Sequence, residues 1–141
     1  MLSNPIPSPY NGTTNYEQWQ EKPATANGYA ATPNNPENSI DLNEQLVRNK
    51  AATFFMRVNS DAMTGAGIRT GDIIIVDRSL EAKSGKVVVA LLNGEMLVRR
   101  LERSFNKTRL LPETKKLAPI EVDPLAGFSV WGVVTYVIHP V

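Results

Sequence analysis

A chain of 141 residues, 42% of them hydrophobic, can build one domain with a core and leaves no room for a second catalytic or DNA-binding domain. Fifteen basic residues against fourteen acidic ones give a net charge of +1, so no whole-molecule field draws the chain to nucleic acid or anionic lipid, and any such contact has to be local or made through a partner. The absence of cysteine and the single histidine, His139, exclude disulfides, thiolate metal sites, a cysteine nucleophile, a histidine triad and a multi-histidine metal centre, and no cofactor or metal is expected.

The N-terminal residues Met1-Leu2-Ser3-Asn4-Pro5 offer no basic start, and prolines stand where a signal peptide needs its apolar run, so export is not expected. The longest apolar stretch, residues 130–137, is too short to span a bilayer. A cytoplasmic protein without membrane association follows as the expectation. Residues 1–39 hold Pro5, Pro7, Pro9, Pro23, Pro33 and Pro36 among many Asn, Thr and Ser, with neither helical nor strand periodicity. They read as an extended, largely irregular N-terminal arm that cannot offset its own ordering entropy by burial. Its aromatics, Tyr10, Tyr16, Trp19 and Tyr29, are more than a linker needs and suggest that parts of the arm lie against a folded surface, its own or a partner's.

Residues 40–141 form the second unit. Asp41-Leu42-Asn43-Glu44 carries a capping-box pattern, with Leu42, Leu46 and Val47 on one side, and predicts a short helix of two or three turns ending near Asn49. Beyond it the pattern is almost entirely β. Residues 53–58 read as a strand, and residues 59–71 as a turn-rich passage. Ile73-Ile74-Ile75-Val76 is a β-branched run too continuous to be half-exposed. Residues 86–92 and 96–102 flank Asn93-Gly94, the strongest hairpin signal in the chain. Further strands are expected at residues 108–112, 120–122 and 130–138, and the whole argues for a compact, mostly β body.

Four segments occur in a telling order: Ser60-Asp61-Ala62-Met63, Gly71-Asp72-Ile73-Ile74-Ile75-Val76-Asp77, Gly94-Glu95-Met96-Leu97-Val98-Arg99-Arg100-Leu101, and Val130-Trp131-Gly132-Val133-Val134. In this order and spacing they resemble the UmuD/LexA family, peptidase family S24, most closely its UmuD branch, whose Ile-Asp-Leu-Asn segment matches Ile40-Asp41-Leu42-Asn43. The resemblance runs from about Ser39 to His139. It implies the family's β-rich fold for residues 40–141, with the arm before it cleavable.

In that family a serine in Gly-Asp-Ser-Met is the nucleophile and a lysine on the strand after the hairpin is its base. A serine hydroxyl needs a neighbouring group to take its proton, and a lysine can do so only when burial lowers its pKa. Here the resemblance sets Ala62 at the nucleophile position and Arg99 at the base position. Alanine has no attacking oxygen, and arginine presents five donors and no acceptor. Three readings stay open: an inactive relative in which both residues are scaffold, a block introduced to trap the uncleaved form, and an active enzyme using Ser60. Neighbouring residues on one face of a strand stand roughly 6–7 Å apart, which counts against Ser60. The family cuts its arm between a small residue and Gly. Asn27-Gly28 is the candidate here, although Asn-Gly is also a plain turn signal.

As a binding module, the resemblance implies a homodimer that serves SOS mutagenesis with a UmuC-type Y-family translesion polymerase and the RecA–single-stranded DNA filament, with no direct sequence-specific DNA binding. As an enzyme, the chain would be a Ser-Lys self-peptidase. A LexA-like repressor would need a helix-turn-helix that residues 1–39 lack the periodicity to build, and a signal peptidase would need a membrane anchor. Asp72 and Asp77 bracket a strand and read as loop-capping residues. Arg99, Arg100, Arg103, Lys107 and Arg109 form a basic stretch that reads either as a solvated edge or as a surface facing polymerase or filament. The apolar run Phe128-Ser129-Val130-Trp131 calls for cover by a second copy. His139 reads as a surface residue.

Overall fold

The computed structural model describes residues 7–10 and 39–141. Its centre is one eight-stranded sheet in which every neighbouring pair is antiparallel. The strands are β1 (Ser8–Pro9), β2 (Thr53–Arg57), β3 (Ile73–Asp77), β4 (Val87–Leu92), β5 (Glu95–Ser104), β6 (Lys107–Leu111), β7 (Ile120–Glu121) and β8 (Phe128–Ile138), in spatial order β1-β2-β3-β8-β4-β5-β6-β7. The C-terminal strand therefore sits between β3 and β4. The mostly β expectation holds, and the described residues contain only one short α-helix, α1 (Leu42–Leu46), and two 3-10 turns, Lys50–Ala52 and Thr64–Ala66.

The β-branched run 73–76 becomes β3, where Ile74, Ile75 and Val76 are buried although successive side chains point to opposite faces, so both faces of the strand are covered. β4 is treated alike at Val88, Val89 and Ala90. One apolar cluster gathers Met56, Val58, Ala62, Met63, Ile68, Ile74, Val76 and Val89, and a second gathers Val88, Ala90, Leu101, Leu110 and Val133. Between β4 and β5 the turn residues Asn93 and Gly94 both have positive φ, 50° and 83°, which a two-residue hairpin with the strands' own twist requires.

β8 carries an extra residue at two places. The register with β3 skips between Val134 and Tyr136, and the register with β4 skips between Val130 and Gly132. Such bulges bend a strand and sharpen its twist, here where β8 passes from one partner to the other. Trp131, one of the extra residues, packs edge-on against Phe54 with centroids 5.1 Å apart. Arg78 lies over the indole at 4.3 Å and donates from Nε to the Trp131 carbonyl at 2.8 Å. The next residue has to be glycine, because a Cβ at Gly132 would stand 2.5 Å from Cγ1 of the buried Val76.

Two expectations change, and one that was left open is resolved. The helix stops at Leu46 rather than near Asn49: Asp41 accepts from the Asn43 N–H at 3.0 Å as its cap, but Val47 is already extended, and Asn49 caps the following 3-10 turn through Ala51 N–H. Within the arm, residues 7–10 dock on the chain's own body. Ser8 and Pro9 pair with Phe55 and Phe54, the Tyr10 N–H donates to the Thr53 carbonyl at 3.0 Å, and the Tyr10 ring meets Phe55 edge-on. Proline tolerates this position because an edge strand leaves its missing donor without a partner to lose. Finally, the run 128–131 is not an uncovered patch: Trp131 packs within the chain, and Phe128 and Val130 pack on the second cluster.

Candidate functional site

Ala62 and Arg99, thirty-seven positions apart in sequence, line one open cleft of about 600 Å3. The turn after β2 presents Ala62. Its N–H donates to the Ser60 Oγ at 3.0 Å, Thr64 Oγ1 donates to the Asp61 carbonyl at 2.7 Å, and Thr70 Oγ1 donates to the Asp61 carboxylate at 2.8 Å. These bonds fix the turn and turn the Ala62 methyl into the first apolar cluster, where the residue is 2% exposed.

The turn is also clamped from outside. Glu113 N–H donates to the Ala62 carbonyl and Gly65 N–H donates to the Glu113 carbonyl, both at 2.8 Å. The approach is so close that a Cβ on Gly65 would stand 2.6 Å from the Glu113 oxygen. Glu113 is itself held by Arg100, whose Nε donates to its carboxylate at 2.6 Å. Nothing in the sequence marks Glu113, since its two clamping bonds are backbone bonds between distant segments.

Arg99 reaches the cleft from β5. Alternation along that strand puts Leu97, Arg99 and Leu101 on the buried face and Arg100 and Glu102 on the other. Arg99 is 7% exposed, and its Nη1 donates to the Val98 carbonyl at 2.8 Å. Burial pulls the guanidinium below its ordinary pKa, and the Glu95 carboxylate, on the same cleft, pulls it back up. Glu95 could have been anticipated, because it lies four residues before Arg99 on the same side of the strand.

The basic stretch expected as one surface is thereby divided. Arg99 faces inward, while Arg100 and Arg109 are taken up by Glu113 and Glu102 at 2.6 Å each. Arg103 and Lys107 remain exposed. Asp72 and Asp77 do cap loops, accepting from the N–H groups of Arg69 and Ser79 at 2.8 Å. His139 is exposed, as expected of a surface residue, with Nδ1 3.8 Å from the Asp72 carboxylate. Asn27 and Gly28 lie outside the described residues. Among the described residues no group of three or more His, Asp or Glu side chains is placed to hold a metal ion, and no helix is long and apolar enough to cross a membrane.

The Peptidase S24-like family model matches residues 18–135. The chain belongs to the peptidase S24-like family. It is similar to Protein MucA of Salmonella typhimurium, 36% identical over 122 residues that cover 84% of this chain and 79% of MucA. Protein ImpA of Salmonella typhimurium is 34% identical over 123 residues, covering 83% and 75%. LexA repressor 1 of Xanthomonas oryzae is 41% identical over 98 residues, which cover 66% of this S24 chain and 49% of the repressor. The four-segment resemblance thus identified the family.

Proposed function

We propose that this S24 protein acts in SOS mutagenesis as a UmuD-like accessory protein that works uncleaved, as a binding partner rather than as a peptidase. The observation that carries the reading is the pair Ala62 and Arg99 in one cleft, at what we take to be the nucleophile and base positions. Acyl transfer needs an attacking oxygen and a group that accepts its proton. The Ala62 methyl provides no oxygen, and a guanidinium holds its proton at any pH a folded protein tolerates. Ser60 lines the same cleft, yet its Oγ is engaged by the Ala62 N–H and would face the same arginine, so a self-peptidase reading finds no support in it.

What remains is a folded surface. The partners we infer are a second copy of the chain, a UmuC-type Y-family polymerase and the RecA–single-stranded DNA filament, with residues 1–39 as an arm retained for want of cleavage at Asn27-Gly28. The exposed apolar side chains of Ile40, Leu42, Tyr136 and Ile138 are available for the dimer contact. Light scattering on the full chain should give a mass near twice 15.5 kDa, and the intact chain should co-elute with a UmuC-type polymerase in gel filtration. A monomer that never co-elutes with the polymerase contradicts the proposal.

A further inference from the structure

The end of the molecule formed by the β5–β6 hairpin carries a combination that the proposed function does not use. β5 and β6 are joined at the pair Ser104 and Lys107, leaving Phe105 and Asn106 as the turn, with Asn106 at φ 65°. Phe105 is 94% exposed. It is the one apolar side chain among residues 103–107, so it does not continue an apolar patch of the kind a docking protein or a bilayer would cover.

Cations flank it in the sequence and lie along the adjoining loop, where Arg103 Nη1 donates to the Ala82 carbonyl at 3.4 Å. Arg103 and Lys107 leave opposite faces of the hairpin, two residues to either side of Phe105, since Arg103 pairs with Thr108 and Lys107 with Ser104. The loop between β3 and β4 runs along the same edge: the Arg103 N–H donates to Ser84 Oγ at 3.0 Å, the Gly85 N–H donates to the Leu101 carbonyl at 2.7 Å, and the Leu101 N–H donates to the Lys86 carbonyl at 2.8 Å. That contact brings Lys83 and Lys86, both exposed, beside Arg103. Among the described residues none of Lys83, Lys86, Arg103 and Lys107 forms an ion pair, whereas the neighbouring Glu102 is taken by Arg109. Glu81, exposed at the start of the loop, is the nearest acid in sequence to Lys83.

The geometry points to a sequence-independent contact for single-stranded nucleic acid, with a base stacking on Phe105 and phosphates held by Lys83, Lys86, Arg103 and Lys107. An accessible aromatic face with cations spaced around it is the combination that single strands favour, because every unpaired base has a π-face and every linkage a negative charge. A duplex offers the charge but keeps its bases stacked away from the ring. The site is local, which reconciles it with a net charge of +1 for the whole chain.

The test is fluorescence anisotropy of a labelled oligothymidylate titrated with the full chain alone, without RecA or polymerase, so that its outcome is separate from that of the proposed function. Saturable binding is expected, with log K falling against log salt by about 0.7 per phosphate contact, near −3 if all four cations engage. Phe105→Ala should weaken binding roughly tenfold and leave the salt slope unchanged, Phe105→Tyr should restore it, and Lys107→Ala should lower the slope by about 0.7. The turn is exposed, and unchanged thermal melts of the variants would show that the fold is intact. Absence of saturable binding overturns the inference. So does binding that Phe105→Ala leaves untouched, equal affinity for duplex, or association with phosphatidylserine vesicles and not with the oligonucleotide.

Discussion

Replacing Gly65 by alanine tests whether the Ala62 turn is held as tightly as its two clamping bonds imply. The added Cβ would stand 2.6 Å from the Glu113 oxygen, 3.3 Å from its carbonyl carbon and 3.4 Å from its Cβ. Non-bonded heavy atoms are comfortable from roughly 3.5 Å, so the two segments must part by close to 1 Å. The 2.8 Å bond from Gly65 N–H to Glu113 would then open to about 3.7 Å, past hydrogen-bonding range. Loss of that bond costs about 0.5–1.5 kcal/mol, and the forced displacement adds about 1–3 kcal/mol. The narrower unfolded ensemble of alanine returns about 0.4–1 kcal/mol. A net loss of roughly 0.5–4 kcal/mol follows from these terms, centred on about 2 kcal/mol. Urea denaturation of parent and variant should show a lower midpoint at constant m-value. A variant as stable as the parent would mean that the clamp is loose and that the position of Ala62 depends on something else.

Arg99→Met removes a buried charge that has no ion pair in the described residues, while keeping a side chain of similar length. Thermal melts should show stability unchanged or raised by up to about 2 kcal/mol, and a loss greater than about 1 kcal/mol would make Arg99 a strut of the fold instead. The Arg100–Glu113 pair, with both side chains 34% exposed, should give a coupling of only about 0.2–1 kcal/mol in a double-mutant cycle, and less at high salt. A larger coupling would show that this pair, rather than the two backbone bonds, secures Glu113. Tyr10→Ala should leave the melting transition of the body nearly unchanged but raise amide exchange at Phe55, which pairs with the arm, and at position 10 itself, whose N–H donates to the Thr53 carbonyl. Equal exchange would show that residues 7–10 contribute no protection there.

Much of the fold was legible because its signals are local. A run of three isoleucines and a valine needs cover on both faces and became β3, and Asn93-Gly94 can hardly form anything but a tight hairpin turn. The helix was overdrawn because a cap starts a helix but does not sustain it, and only five residues, Leu42–Leu46, followed the cap. β1 was missed because prolines argue against strands in general and say nothing of an edge position that needs no donor. At the site, the four spaced segments brought Ala62 and Arg99 to notice. Adjacent basic residues in sequence suggested one surface, whereas strand alternation sent Arg99 inward and Arg100 to the other face. The roles of Glu113 and Gly65 were invisible, since they are made by main-chain contacts between segments nearly fifty residues apart.

If Ala62 and Arg99 leave the proposed cleft without nucleophile and base, mass spectrometry of the full chain after incubation with RecA, single-stranded DNA and nucleotide, and separately at alkaline pH, should find it uncut. The unaltered chain should remain at 15.5 kDa. Ala62→Ser with Arg99→Lys should regain cleavage in the arm, and Ala62→Ser alone should be slow because the arginine keeps its proton, the two residues acting as one unit. A new N-terminus at Gly28 from the unaltered chain would show that the cleft cleaves without a serine at position 62 or a lysine at position 99.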